Sequence, residues 1–532
     1  MKKLTVLPEG TEDILFEKCI SKRAIENKLE NVFVEGGFSE IITPSFEYYD
    51  VFNIGKLEAF ENAYKFTGST NRLMSLRTDS TAPIARAISA RFKNNNTEIK
   101  LYYKQNVFRA NASYSGKMNE TTQCGVECIG KTGVDNDVYV ITLAINALKE
   151  VIGNDFKLEI SHAGIFNSLI KQSGLSDDDV KTVSEYIASK NIPALNNFNF
   201  SDENKKIFTM LPMLFGGNDV LNTAKNLFGD NYSEANSHIT YLNEIYSKLS
   251  EQNLHEYIMF DLGLVSDFDY YTGIIFRAYT GGCGHCVLSG GRYDTLLSKF
   301  GKDAPALGFA IDADAVLNNK ESYLSNDKPI RIALTKGRLE KDTLALFEKS
   351  GISSEELKNK GRKLMLTTDD KKIEILIAKA NDVITYVEHG VCDLGFVGRD
   401  TIMEHDCNFY EIADLGFGKC RFALAGKKGK DIYSGFDKKV IATKYPSVAK
   451  NFFADKGLDI EIIKIDGSVE VAPILELADA IVDLVETGST LKANGLEVYE
   501  DICDISARII ANPASIKLKK SKVTEFLDRV KI

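Results

Sequence analysis

From residue 330 onward, short apolar runs recur along the chain: IRIALT, IEILIA, DLGFVG, FALAG, KVIAT, IEIIKI and AIVDLV, with helical segments between them. Runs of β-branched and apolar residues of this length read as strands. Their alternation with helices predicts an α/β architecture with largely parallel sheets. Upstream the pattern differs. An amphipathic helix is expected near residues 14–34, followed by β-rich segments such as LYYKQNVFRA and CGVECIG, a helical region from about 163 to 255, and a second β-rich stretch from about 258 to 311. Strands flanking a helical insertion predict an α+β domain with an antiparallel sheet. The polar stretch NKESYLSNDKP, 319–329, ends in proline and separates the two patterns. The expected organisation is therefore a domain over 1–318, a linker over 319–329 and a second domain over 330–532.

One junction carries chemistry. In DAIVDLVETGSTLKANGL, residues 479–496, a strand breaks into Glu486-Thr487-Gly488-Ser489-Thr490, and a short helix follows that Asn494-Gly495 can close in a left-handed cap. Unpaired N–H groups and the helix dipole at such a junction suit a phosphate. Thr487, Ser489 and Thr490 add hydroxyl donors, and Gly488 admits close backbone approach. Asp483 suits sugar hydroxyls instead. An anion loop beside an acceptor implies a phosphorylated sugar, although an ordinary capped turn has the same outline.

Composition narrows the field. The chain has 532 residues, a net charge of −10 and ordinary proportions of hydrophobic and charged residues, 44% and 26%. That balance argues against a nucleic acid or an anionic membrane as main partner. The N-terminus lacks a signal-like apolar run, and no stretch approaches 18 uninterrupted apolar residues, so a cytoplasmic location is expected. Nine cysteines fit reduced thiols. Cys283-Gly-His-Cys286, with Cys124 and Cys128 upstream, is a conceivable zinc or redox group, but its setting in GGCGHCVLSGG reads as a turn between strands with a structural role. No protein-held metal site is expected.

Three basic motifs fall in the second domain: Lys336-Gly337-Arg338, Lys360-Gly361-Arg362-Lys363 and Gly418-Lys419-Cys420-Arg421. Arginine grips phosphate bidentately and lysine supplies a compact charge. Grouped at strand ends, they predict a polyphosphate site. The segment 381–400 adds Asp382, Glu388 and His389, and a lone histidine in such a place is more often structural than catalytic.

KGRL, GRKL, YVEHG, DLGFGKCR, ATKYPSVA and DLVETGSTLKANGL followed by DISARII, in this order over about 200 residues, resemble the catalytic chain of the short-form ATP phosphoribosyltransferases. The resemblance implies a two-lobed α/β fold of the periplasmic-binding-protein type with the active site between the lobes. It implies transfer of C1 of phosphoribosyl pyrophosphate to N1 of ATP, the opening step of histidine biosynthesis, with Mg²⁺ carried in with phosphoribosyl pyrophosphate. Residues 486–490 would hold the 5-phosphate, Asp483 the ribose hydroxyls, Lys336 would bind substrate, and Arg338 and Arg362 would stabilise phosphate charge. Lys379 and Ile384 depart from the family's usual arginine and proline.

Residues 1–318 carry a second resemblance. PEGTED, LRTDSTAPIAR, NVFRAN, QCGVECIG, DFDYYTGIIF, GGRYD and ALGFAID resemble the class II catalytic domain of histidyl-tRNA synthetase and, more closely, the synthetase-derived regulatory subunit of the short transferases. Ser266 and Ala315 stand where the synthetases have arginine, and Asn111 where they have glutamate, which argues against adenylation. The resemblance implies that Asp79, Thr81, Gln123, Glu127, Tyr270 and Tyr271 hold histidine, making L-histidine a feedback inhibitor. Both resembled families assemble as oligomers, so a homo-oligomer is expected. The alternatives are a non-catalytic sensor of anions or amino acids and, further off, a histidyl-tRNA synthetase.

Overall fold

Strands and helices of the computed structural model fall into two units, Met1–Ser325 and Asn326–Ile532. The described residues are 5–52, 62–94, 97–265, 270–319, 328–358, 361, 363–405 and 408–531.

The first unit is built on a nine-stranded, mainly antiparallel sheet. Its order is Ser39–Glu40, Ile99–Phe108, Glu120–Ile129, Ala306–Asp312, Leu288–Arg292, Ile274–Thr280, Phe156–His162, Ile258–Asp261, Phe215–Gly216. Two pairs are parallel, Ser39–Glu40 with Ile99–Phe108 and Phe156–His162 with Ile258–Asp261. The helix Val134–Ile152 buries Val140, Ile141, Ala144, Ile145 and Leu148, an apolar stripe of helical period facing the core. The expected amphipathic helix runs over Phe16–Glu35, but its buried stripe is narrow, namely Glu26, Leu29 and Phe33, and Phe16 and Ile20 face outward. The helical insertion lies between Phe156–His162 and Ile258–Asp261. Within it, Ser176 and Ser201 cap their helices by accepting from the N–H groups of Asp179 and Asn204.

The second unit has two lobes, each on a mixed sheet. The first orders Met365–Thr367, Ile373–Ala378, Ile330–Thr335, Leu394–Gly398, Ala507–Ala511, Tyr410–Asp414; the second orders Ile460–Lys464, Lys439–Thr443, Ala480–Val485, Cys420–Lys427, Leu496–Ile505. The expectation of largely parallel sheets is corrected here. Only the strands joined by helical crossovers are parallel, and the remaining pairs run antiparallel. The cause is topological: Met365–Thr367 and Ile373–Ala378 form a hairpin, and at the two passages between lobes, after Asp414 and at Ser506, the first strand reached, Cys420–Lys427 in the second lobe and Ala507–Ala511 in the first, runs opposite to both of its neighbours. The rings of Phe347, Phe396 and Phe526 meet edge-on and tie the last helix, Lys520–Val530, to the first lobe. Among the described residues, no helix is long and apolar enough to cross a membrane.

Candidate active site and amino-acid pocket

The strand Ala480–Val485 runs into the expected loop and then the helix Ser489–Ala493. Gly488 takes φ +73°, a left-handed turn that strains any L side chain, and Gly495 closes the helix at φ +70°. The hydroxyls of Thr487 and Ser489 lie 3.0 Å apart. Together with Asp483, Glu486 and Thr490 they line a cavity of about 240 Å³ whose inner wall is Ala423, Ala425 and Ile481. Small residues on the neighbouring strand leave the room. Glu470 also lines this cavity; no motif marked it in the sequence. Asp483 is half-buried and its Oδ1 accepts from the N–H of Leu484 at 2.8 Å. Burial pushes its carboxyl up to about 6, the negative charge of Glu470 adds to this, and the Leu484 N–H and Lys444 oppose it.

Arg338 opens the helix Arg338–Lys349 in the first lobe, after Gly337 at φ +110°. Its Nη1 donates to Oε2 of Glu486 in the second lobe at 2.6 Å. One expected basic motif therefore reaches the loop. Lys336, at the end of Ile330–Thr335, is exposed. Lys360 and Arg362 lie outside the described residues. Lys363 is taken up by Glu356 at 2.8 Å, and Arg421 by Asp501 at 2.6 Å. His389 is exposed at the end of the helix Ala380–Glu388, with Nδ1 3.0 Å from the Thr385 carbonyl. Burial raises the pKa of the Cys420 thiol, with the charges of Asp400 and Glu486 adding to this and that of Arg338 opposing it.

In the first unit, Gln123, Gly125 and Glu127 occupy alternate positions of Glu120–Ile129 and so share one face of the sheet. Glu127 is fully buried. Its Oε1 accepts from Thr81 Oγ1 at 2.7 Å and its Oε2 from the Tyr293 hydroxyl. Burial raises this carboxyl to about 8, against the pull of both hydroxyls. Gly308 sits beside it in register, and a Cβ there would fall 1.8 Å from Oε2, so only glycine leaves the carboxylate its place. Asp79 precedes the helix Thr81–Arg91; its Oδ1 accepts from Ala82 N at 3.0 Å, and burial raises its pKa. Among the described residues, Asp79 Oδ2 and Gln123 Oε1 are buried with no hydrogen-bond partner. Tyr270 packs edge-on to Tyr271 and Tyr293, with centroids 5.0 and 5.8 Å away. The structure thus gathers Thr81, Glu127 and Tyr293 directly, and Asp79, Tyr103, Tyr270 and Tyr271 lie within electrostatic reach of them. Tyr293 was missed as a site residue, although GGRYD carries it. Ser266 lies outside the described residues. Cys283 is buried with Sγ 3.4 Å from the His285 ring, in the expected turn between Ile274–Thr280 and Leu288–Arg292.

The second unit thus sets a loop rich in hydroxyls opposite an arginine across an α/β cleft, and the first unit holds a buried group of acceptors. Residues 10–316 match the family described as Histidyl-tRNA synthetase, and residues 379–532 the family described as ATP phosphoribosyltransferase. The ATP phosphoribosyltransferase of Clostridium kluyveri is 56% identical over 209 residues, 39% of this chain and 95% of that protein. The ATP phosphoribosyltransferase regulatory subunit of the same organism is 38% identical over 323 residues, 59% of this chain and 82% of that protein. A crystal structure of an ATP phosphoribosyltransferase regulatory subunit/histidyl-tRNA synthetase from Bacillus halodurans superposes with a TM-score of 0.55 at 27% identity, covering 70% of this chain and 93% of that one. The chain belongs to the ATP phosphoribosyltransferase family through its second unit and to the histidyl-tRNA synthetase family through its first, where it is similar to the regulatory subunit. It is a transferase of histidine biosynthesis with both parts on one polypeptide.

Proposed function

We propose that the second unit carries out the transfer with the residues around the 486–490 loop. Thr487, Gly488, Ser489 and Thr490 hold the 5-phosphate of the ribosyl donor, and Asp483 accepts from its ribose hydroxyls. N1 of ATP attacks C1, the C1–O bond breaks, and the bonding electron pair leaves with pyrophosphate. The barrier lies in that departure, and N1 needs no activated nucleophile beside it. Arg338, with Arg362 and Lys336, meets the charge that develops on the leaving group. Phosphoribosyl pyrophosphate enters as its Mg²⁺ complex, and the acceptors Asp483 and Glu470 fit a ligand that presents hydroxyls or a cation to the cavity. The observation that carries this reading is Arg338 reaching from one lobe to Glu486 at the edge of the loop cavity.

The first unit senses L-histidine. Its pocket offers acceptors: Asp79 Oδ2 and Gln123 Oε1 for an α-ammonium and Glu127 for an imidazole N–H. The relatives' regulatory subunits, to which the first unit is similar, favour a cytoplasmic homo-oligomer, and the exposed rings of Phe46 and Phe66, 6.2 Å apart on a three-stranded sheet, are apolar surface that a second copy would cover.

One assay tests both parts: pyrophosphate release from ATP, Mg²⁺ and phosphoribosyl pyrophosphate, with and without L-histidine. Turnover that histidine suppresses is the expected result. Turnover untouched by millimolar-range histidine removes the regulatory part, and no turnover removes the residue assignment.

A further inference from the structure

The two lobes of the second unit also meet beside the candidate site, through residues to which no role has been given. The helix Pro446–Asp455 of the second lobe begins without a side-chain cap of its own, since Tyr445 stands at its N-cap position. Its first free N–H groups are served from the first lobe. Glu404, at the C-terminal end of the helix Arg399–Met403, accepts from Val448 N through Oε1 at 2.9 Å and from Ser447 N through Oε2 at 3.2 Å. One residue earlier, the Tyr445 hydroxyl donates to Asp400 Oδ2 at 3.2 Å, which holds that phenol proton and, with burial, raises its pKa.

A carboxylate capping a helix in trans is a strong and directional link. Two charge-assisted bonds fix both distance and angle, and the helix dipole adds to them. The link connects to the substrate cavity by short steps. The Thr443 hydroxyl, just before the capped helix, accepts from Tyr445 N at 2.9 Å and donates to the Val482 carbonyl at 2.6 Å, so the turn 443–447 is tied to the strand that carries Asp483. On the other side, the helix that carries Asp400 and Glu404 follows directly from the strand Leu394–Gly398, against which the helix Arg338–Lys349 packs, so the interlobe link and the Arg338–Glu486 pair start from adjoining elements of the first lobe.

We propose that Glu404 is a positioning residue for the transfer: by capping Pro446–Asp455 from the opposite lobe, it sets the lobe spacing at which Arg338 faces the 486–490 loop. The inference rests on that loop and Arg338 as the substrate site. Misplacing a substrate-holding group by about 1 Å can cost roughly a hundredfold in rate, so loss of the link is readable in kinetics.

The experiment compares the full chain with Glu404→Ala, Glu404→Gln and, as a control on the site itself, Arg338→Ala. Amide exchange at Ser447 and Val448 reports the cap, and kcat and KM for phosphoribosyl pyrophosphate report its effect. In Glu404→Ala, both amides are expected to lose protection and kcat/KM to fall roughly tenfold or more, with protection of the buried strands Ala480–Val485 and Ala507–Ala511 unchanged. Glu404→Gln, which keeps a neutral acceptor of the same length, is expected to recover most of both. Lost protection with unchanged kinetics overturns the proposal, and so does protection that survives Glu404→Ala. If Glu404→Ala fails to fold, Glu404→Asp, one methylene too short to reach both amides, takes its place, with the same expected and overturning results. An Arg338→Ala chain with full kcat/KM overturns the site assignment instead.

Discussion

Arg338 of one lobe and Glu486 of the other form an ion pair at 2.6 Å with both side chains more than half exposed, 61% and 55%. Exposed pairs contribute little to stability, so this contact is not a strut between the lobes. On the proposed assignment, an anionic leaving group would compete with Glu486 for the same guanidinium.

Arg338→Ala is therefore expected to leave the melting temperature unchanged while lowering kcat by roughly a hundredfold to a thousandfold, the usual effect of removing one donor to a developing charge. Steady-state pyrophosphate release beside a thermal melt checks it. A rise in KM with kcat intact makes Arg338 a ground-state binder only.

Thr490→Ala removes one hydroxyl from the loop. Loss of a hydrogen bond to a charged phosphate should weaken donor binding by about 1.5–3 kcal/mol, so KM for phosphoribosyl pyrophosphate rises about tenfold to a hundredfold. An unchanged KM contradicts the loop assignment.

Asp483 sets activity against stability. Its folded-state pKa, about 6, lies above the usual carboxylate value, so the folded protein binds the proton more tightly than the unfolded chain does. Stability therefore falls as pH rises from about 4 to about 6, and the cost persists above that. Asp483→Asn is expected to raise the melting temperature at pH 7.5 but not at pH 4, and to lose the ribose contact and hence turnover. In the unsubstituted chain, kcat/KM should drop as pH falls through about 6. Equal melting shifts at both pH values would show that the carboxylate is not destabilised by its burial.

Glu127 gives a proton-linked test of the amino-acid pocket. With its carboxyl raised to about 8, it is protonated in the empty pocket at pH 7. The α-ammonium held by the neighbouring Asp79 and Gln123 favours the ionised form of Glu127, so histidine binding releases a proton and strengthens as pH rises from 7 through 8. Calorimetry of the full chain in buffers of different ionisation enthalpy reads this directly. Glu127→Ala should abolish inhibition and leave uninhibited turnover in place; inhibition that survives puts the histidine site elsewhere.

Much of the second unit was legible locally. AIVDLV is a strand, TGSTLKA turns into a helix at Gly488, and Gly495 closes it, because φ-permissive glycines and β-branched runs act on their own neighbours. The domain pattern of strands around a helical insertion was visible for the same reason. Strand direction was not: Cys420–Lys427, which holds the run FALAG, looks like a member of the same alternation, yet it runs antiparallel to both of its sheet neighbours, because it is the strand on which the chain enters the second lobe. Nor does the pattern show the partners of the basic motifs: Arg421 pairs with Asp501, 80 positions away.

By itself, the sequence determined the two domain patterns, most of the parallel strands of the second unit, the outline of the turn at Gly488 and, through the ordered motifs, the two families, but not the strands Met365–Thr367, Tyr410–Asp414, Leu496–Ile505 and Ala507–Ala511. Those properties depend on periodicity and on residues a few positions apart. The tertiary structure alone decided which groups meet: Glu127 with Thr81 and Tyr293, Arg338 with Glu486, Glu404 with the helix that starts at Pro446. Each of these pairs spans from about 40 to more than 160 positions. Strand order, register and lobe placement set their distances, and these follow from packing the whole core at once, which no local pattern encodes.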